Sequence, residues 1–468
     1  MISTIILTST ILVTHAPGWS DLIITEDMWS YISGQDKTLS VIGQDTLHQF
    51  WDSFNQETRI GYKVYLSDGT VIFPETMVSG DVWSINPTAA LIYGDSVSGF
   101  WRQGVPAWYC IRDSVGGEVL PTSLFQSDSY CNRANVEVAV DSLGRIHAAT
   151  VIPAGVLYTV TEPVFGEVWR DTVPGSEPET GGIQVDGNRV HIIYREDYAT
   201  PMYVQYNLEG NITIPAVTLT TGLAFLYPLF STTVDVNGDV WYFTKASRSY
   251  NYITLFKIDS ATGEVLISDQ EVETPGASTN STIILPDPSE EKLYLMWIAD
   301  DGNFNYWVYF AVIDTNGDFI EEPYPAYDYS DEEVQQLSTL SATINELGDV
   351  FAIWSQGDVE VGGYWIVMGW FDHNWLEIAE EETGTGINPP SISASCNPIT
   401  DSVSFTVTGV TINELEIYDI SGRLVMTVPV SNATAFWDGK DASGERLPYG
   451  VYRVSCGNVS TTVTLLGE

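Results

Sequence analysis

The chain is poor in positive charge. Its 468 residues hold 18 Lys and Arg against 62 Asp and Glu, a formal net charge of −44. A nucleic-acid backbone or an anionic membrane surface repels such a chain, so no nucleic-acid partner is expected. Long apolar runs are also missing. After the first segment no stretch reaches the about 18 apolar residues of a membrane-spanning helix, so the mature chain is expected to have no transmembrane segment. Cysteine and histidine are scarce, four and five residues, with no CxxC and no Cys/His cluster at zinc spacing. Neither a metal nor another cofactor is therefore expected.

Aromatics, by contrast, make up 12% of the chain, beside 39 Gly and 22 Pro. That is the composition of strands and tight turns. Residues 5–13 form a short apolar run followed by Thr14, His15 and Ala16. Residues 1–16 therefore read as a signal peptide, although no Lys or Arg precedes the run and Pro17 would follow the cut. A buried N-terminal strand is the competing reading. The cysteines fall as Cys110 with Cys131 and Cys396 with Cys456, both pairs disulfide candidates in an exported chain. Loops of this length predict about 3 and about 4 kcal/mol if bridged. The alternative is four free buried thiols.

Two short patterns alternate along the first 380 residues. The first is an apolar residue, Asp or Asn, a turn usually containing Gly, and an apolar run with an aromatic or His. It appears as VDSLGRIH (140–147), VDGNRVHIIY (185–194), VDVNGDVWYF (234–243) and INELGDVFAIW (344–354), with weaker copies at 41–51, 85–93 and 285–297. The second, two strands about a polar turn, is marked by Gly69, Gly117, Gly166, Gly210, Gly263, Gly317 and Asn374, spaced 44 to 57 residues apart. Two hairpins per unit of about 50 residues predict a β-propeller over 21–380, with about seven blades and six or eight as the alternatives. Residues 21–31 are expected to add a strand to the last blade. Leu47, Phe50, Trp51 and Phe54 also fit an amphipathic helix, and Ser330 with Glu333 fits a capping box.

Gly and Pro mark residues 381–390 as a linker, and 391–468 read as short alternating strands in a small β-sandwich. The fold class is thus all-β. Here the residues carry a resemblance. Asn397-Pro398, LEIYDISGRLV (415–425, with Tyr418, Asp419, Gly422 and Arg423), WDGKDASGERLPYGVYRV (437–454, with Trp437, Asp438, Gly439, Gly444, Gly450 and Tyr452) and the final TTVTLL resemble the C-terminal sorting domain of type IX secretion cargo. That domain is similar to the Ig-like domain of flagellar hook-capping proteins. The resemblance implies an Ig-like, seven-stranded sandwich, a bacterial host, recognition by the type IX secretion machinery, and a secreted or surface-attached protein. The family's usual Lys-rich last strand is replaced by an ending in Leu466, Gly467 and Glu468. The four glycines suit tight turns, and Trp437 and Tyr452 read as core or corner residues.

Residues 38–380 weakly resemble sialidase-like, Asp-box propellers, but no complete Ser-x-Asp-x-Gly-x-x-Trp box is present. Arg195, between Tyr194 and Glu196, is the most suggestive arginine for such chemistry, with no second or third to join it. His147 and His191 hold equivalent repeat positions and read as packed strand residues. DTNGD (314–318) reads as a hairpin turn rather than a calcium loop. Sequons at Asn211, Asn280, Asn432 and Asn458 are incidental in a bacterial host. No catalytic residue is assigned. The expected function is a non-catalytic module binding a glycan or surface protein, motivated by aromatics that can stack on sugars. The alternative is a polysaccharide hydrolase or lyase with acidic residues at the propeller mouth.

Overall fold

The computed structural model describes residues 14–28, 37–55, 57–79, 84–93, 95–103, 107–126, 137–152, 155–162, 166–174, 179–197, 200–221, 230–245, 252–273, 278–288, 291–300, 305–329, 336–358, 363–373, 391–394, 402–408, 414–419, 423–431, 433–441, 443–448, 450–456 and 459–465. Among them the regular elements are all strands. Contacts divide the chain into two units, Met1–His373 and Asn374–Glu468.

In the first unit β1 (Thr14–His15) and β2 (Ile23–Met28) precede seven groups of strands. The first group is β3 (Lys37–Ile42), β4 (Thr46–Asn55), β5 (Glu57–Leu66) and β6 (Val71–Met77). The second is β7 (Ser84–Tyr93), β8 (Ser96–Gln103), β9 (Ala107–Asp113) and β10 (Glu118–Gln126). The third is β11 (Glu137–Val140), β12 (Ile146–Ile152), β13 (Gly155–Glu162) and β14 (Gly166–Pro174). The fourth is β15 (Glu179–Asp186), β16 (Arg189–Asp197), β17 (Thr200–Asn207) and β18 (Ile212–Thr218). The fifth is β19 (Phe230–Val234), β20 (Val240–Thr244), β21 (Tyr252–Ile258) and β22 (Val265–Glu273). The sixth is β23 (Ser278–Pro286), β24 (Lys292–Asp300), β25 (Tyr306–Asp314) and β26 (Phe319–Asp328). The seventh is β27 (Gln336–Ile344), β28 (Val350–Asp358) and β29 (Gly363–Phe371). Each group is one antiparallel sheet with strands side by side in chain order.

The seventh sheet takes its fourth strand from the other end of the unit. β2 pairs antiparallel with β29, Ile23 opposite Met368 and Met28 opposite Tyr364, as expected for the N-terminal segment. β1 adds a short fifth strand to β26, and the Ala16 amide donates to the Ala326 carbonyl. Thr14 to Ala16 are thus hydrogen-bonded into the sheet, while residues 1–13 lie outside the described residues. Trp19 follows, 4% exposed, its ring 5.1 Å from Phe310, 5.3 Å from Tyr327 and 5.4 Å from Phe371, between the sixth and seventh sheets.

The first strands touch in sequence: β3 with β7, β7 with β11, β11 with β15, β15 with β19, β19 with β23, β23 with β27, and β27 with β3. Apolar layers fill the spaces between neighbouring sheets. Phe50 and Tyr62 meet Val97 and Trp101, Phe100 meets Val138 and Ile146, and Leu47 and Trp51 meet Phe351 and Ile353. Second and third strands are buried on both faces and read as continuous apolar runs, whereas the fourth strand β6 is largely exposed. This is an all-β, propeller-like fold.

Burial on both faces also explains why the helical reading of 47–54 fails. Leu47 and Trp51 pack on the seventh sheet and Phe50 on the second, which β4 achieves by alternation. The weak repeat at 85–93 is corrected as well: it lies inside β7, whose last residue Tyr93 pairs with Ser96 at the start of β8. In the second hairpin turn the positive φ falls on Gly116, not Gly117. Ser330, Glu333, Asn374 and the linker 381–390 lie outside the described residues.

The second unit has β30 (Ser391–Ala394), β31 (Val403–Thr408), β32 (Glu414–Asp419), β33 (Leu424–Pro429), β34 (Thr434–Trp437), β35 (Gly450–Cys456) and β36 (Val459–Leu465). They form two antiparallel sheets, ordered β30-β31-β34 and β33-β32-β35-β36. Phe405, Leu415, Ile417, Trp437, Tyr452, Val454 and Val463 share one core.

Candidate functional site

Antiparallel pairing gives each sheet of the first unit two edges. The connections from first to second and from third to fourth strand lie at one edge, the turn edge. Those from second to third strand, and on to the next sheet, lie at the other, the loop edge.

The turn edge is built by Asp and Asn. Asp141 Oδ1 accepts from the amides of Leu143 and Arg145 while Oδ2 accepts from Arg145 Nε at 2.7 Å and His147 Nε2 at 3.1 Å. Asp235 Oδ1 accepts from the amides of Asn237 and Asp239, and Oδ2 from Trp241 Nε1 at 2.8 Å. Asn345 repeats the amide pair with Leu347 and Asp349. Asp113, Asn207 and Asp314 do the same in the other hairpin. One oxygen satisfies two amides the turn would otherwise leave bare. In two copies the other oxygen reaches a ring nitrogen on the second strand. That is the physical content of the repeat's Asp and its following His or Trp, and DTNGD is such a turn. Desolvation would raise the Asp314 carboxyl, but the Asn316 side chain and, after it, the turn's backbone amides hold it below the usual range.

Three buried histidines lie near this edge. His48, His147 and His191 each bond through Nδ1 to a tyrosine hydroxyl across the hairpin, Tyr62 at 2.8 Å, Tyr158 at 2.7 Å and Tyr203 at 2.9 Å. Burial lowers all three, His48 and His191 to about 4, so they are neutral at pH 7. The packed-strand reading of His147 and His191 agrees with this geometry, and His48 is a third member of the set.

The loop edge has longer connections, at residues 127–136, 219–229, 245–251 and 329–335. Charged side chains are buried there: Lys37 at the start of β3, Arg195 near the end of β16 and Lys245 just beyond β20. Lys37 Nζ donates to Thr339 Oγ1 and Ser355 Oγ, both at 2.7 Å, joining the first sheet to the seventh. Glu137 opens β11, and burial pushes its carboxyl up to about 7. Burial also lowers Lys245, an effect that Asp300 opposes. His191 and Arg195 are four positions apart on one strand, about 13 Å along it. Arg195 and the histidines therefore do not converge, but buried Arg112 and Lys257 lie at the turn edge, Arg112 with its guanidinium 5.8 Å from the ring of Tyr62, the partner of His48.

The aromatic load is mostly core. Trp51, Trp101, Trp241, Trp297 and Trp354, all on second strands, are fully buried. Among side chains described, Phe436 is the one exposed aromatic hydrophobe. Composition cannot separate a core tryptophan from a sugar platform, and here it is core.

In the second unit the described resemblance residues lie in the strands and turns of the sandwich. Trp437 is 1% exposed, its Nε1 donates to the Lys440 carbonyl at 2.9 Å, and its ring meets Tyr452 edge-on at 5.5 Å. The Tyr452 hydroxyl donates to the Pro448 carbonyl at 2.6 Å, a bond back along the chain of the kind that pins sandwich corners. Gly439 and Gly444 have φ +71 and +83, and Gly450 begins β35. Asp438 pairs with Lys440 at 3.2 Å. Tyr418 donates to Glu416 at 2.7 Å, Asp419 lies opposite Tyr452 in the ladder, and Arg423 precedes β33. Asn397, Pro398 and Gly422 lie outside the described residues.

The expectation of a bridged Cys110 is corrected. It is a free thiol, fully buried among Tyr62, Val97 and Trp101, and burial pushes it up to about 11. Cys131 and Cys396 lie outside the described residues, and Cys456 ends β35. No described helix is long and apolar enough to cross a membrane.

No protein-family model matches the chain, and no curated protein does. Among solved structures it is similar to PorZ, an essential surface component of the type IX secretion system of Porphyromonas gingivalis, at 15% identity and TM-score 0.39. That match covers 94% of this chain and 59% of PorZ, so the chain spans about three-fifths of that protein's length. It is similar to the polysaccharide lyase Uly1 at 9% identity and TM-score 0.48, over 73% of this chain and 90% of that one. A fungal alcohol oxidase of the AA5 family, in complex with copper, matches at 11% identity and TM-score 0.46, over 96% and 99%. These similarities are too distant to assign a family or an activity.

Proposed function

We propose that the chain is an exported protein, secreted or held at the bacterial surface, in which a seven-bladed β-propeller presents its loop edge to a glycan or protein partner. The blade count rests on seven sheets whose first strands touch in a closed sequence. The observation that carries the binding reading is the division of labour between edges. Short Asx turns knit one edge, and the long connections that scaffolds use for recognition gather at the other. With a net charge of −44 the partner is neutral or cationic. The enzyme alternative needs arginine, histidine and carboxylate in one open pocket; Arg145, His147 and Asp141 do meet, but within a turn where His147 and Asp141 are buried against each other, and Arg195 lies at the opposite edge.

Residues 391–468 are, in this reading, an Ig-like sorting module recognised by the type IX secretion machinery, whereas the pairing of Thr14 and His15 with β26 favours the competing strand reading over a signal peptide cut after Ala16. Two packed sheets, the Tyr452 corner and the turns at Gly439 and Gly444 support the module. Deleting residues 391–468 should leave the protein in the periplasm, and undiminished secretion would refute the sorting role. A glycan array together with a surface-protein pull-down tests the binding role, and no binding in either would overturn it.

A further inference from the structure

At the turn edge of the seventh sheet, the adjacent Asp372 and His373 meet Asp349, which lies some two dozen positions earlier. Asp349 ends the turn between β27 and β28, and Asp372 and His373 follow β29. One donor atom from each lies within 4.8 Å of the other two, and all three residues are half-buried, so the group is open to solvent on one side. His373 Nδ1 is 2.9 Å from Asp349 Oδ1, which the His373 amide also approaches at 3.2 Å. The turn presets this carboxylate. Asn345 Oδ1 accepts from the Asp349 amide, and Asn345 Nδ2 donates to Asp349 Oδ2 at 2.9 Å, leaving Oδ1 directed at His373.

A second observation comes from the neighbouring backbone. Gly348 has φ +93, and a Cβ there would lie 3.0 Å from Asp287 Oδ2 and 3.2 Å from His373 Cγ. A third carboxylate, on a residue 2% exposed and bonded by the Tyr294 hydroxyl, therefore faces the same small space from the sixth sheet. The glycine keeps that space clear of a side chain.

We propose that Asp349, Asp372 and His373 bind one divalent transition-metal cation of the zinc or manganese type, with Asp287 as an outer carboxylate. One imidazole nitrogen with two carboxylate oxygens is a donor set for such ions, whereas calcium takes oxygen alone. Metal–ligand bonds of about 2.0–2.2 Å place neighbouring donors roughly 3.0–3.5 Å apart, so the widest separation closes by about 1 Å. A dication offsets the charge of clustered carboxylates in a chain already strongly negative. The ion would tie the first turn of the seventh sheet to the chain leaving β29, where the first unit ends. It acts as a staple rather than a catalyst. No Cys/His spacing announces it, because the ligands come from a turn and a strand end some two dozen positions apart.

The test uses the untagged full chain, stripped with EDTA and titrated with Zn2+, then Mn2+, by calorimetry alongside thermal melts. The expected result is one Zn2+ or Mn2+ per chain and a higher melting temperature with metal. Asp372→Asn and His373→Gln should each weaken binding at least about tenfold and remove the thermal shift. Asp318→Asn, at another turn, should change neither. Absence of a one-to-one isotherm with both ions, or equal affinity in wild type and Asp372→Asn, would overturn the proposal. Asp372→Asn decides if His373→Gln fails to fold, since it removes a charge at constant size.

Discussion

The two edges of the first unit use the same polar residue types for opposite ends. At the turn edge every described Asx turn spends its carboxylate or amide oxygen on its own backbone, and several also hold a buried ring or cation. At the loop edge, Lys37, Arg195 and Lys245 are buried at strand ends, and the connections there share no common length. One edge repeats because each copy solves the same problem of reversing the chain. The other varies because nothing in the sheets dictates it, and variation of that kind is where recognition resides.

The largest expected effect is acid sensitivity from the turn-edge histidines. Folded His48 and His191 titrate at about 4 against an ordinary 6.5, so between these values the unfolded chain binds more protons. Stability should therefore fall as pH drops from about 6.5 to 4, each histidine accounting for about 3 kcal/mol. Glu137, raised to about 7, works in the opposite sense. Denaturant melts across this range should show the loss in wild type and a shallower slope in His191→Phe.

Next comes Asp235→Ala, which leaves Trp241 Nε1 and two turn amides unsatisfied and removes one of two carboxylates near Lys257. It should cost about 3 kcal/mol in urea unfolding. Tyr452→Phe in the second unit removes one hydroxyl bond and should cost about 1 kcal/mol. The smallest effect is expected at the loop edge. Alanine substitutions within residues 127–136 should move stability by no more than about 0.5 kcal/mol while lowering partner binding.

Much of the fold was readable because its signals are local. The Asp-to-His spacing of VDSLGRIH is the hydrogen bond from His147 to Asp141, and the alternation of two patterns is the alternation of two hairpins. The copy at 85–93 was misplaced because Asn86 and Pro87 mimic a turn inside β7. The site was far less legible. Trp51 and Trp354 contribute to aromatic content just as a sugar platform would, and only burial separates the two. Cys110 was paired by proximity in sequence, whereas its side chain is buried against the first sheet. Asp349 and His373 meet through pairing of β28 with β29, which no linear motif encodes.

The most direct test of the two-edge account is a matched pair of surface variants assayed against whatever partner the array or pull-down identifies. One carries alanine across 127–136 and 222–229. The other replaces Leu143, Val236 and Leu347, exposed at the turn tips, by Asp. The account predicts that the first loses binding while the second binds as wild type does. Loss confined to the turn-tip variant would contradict it.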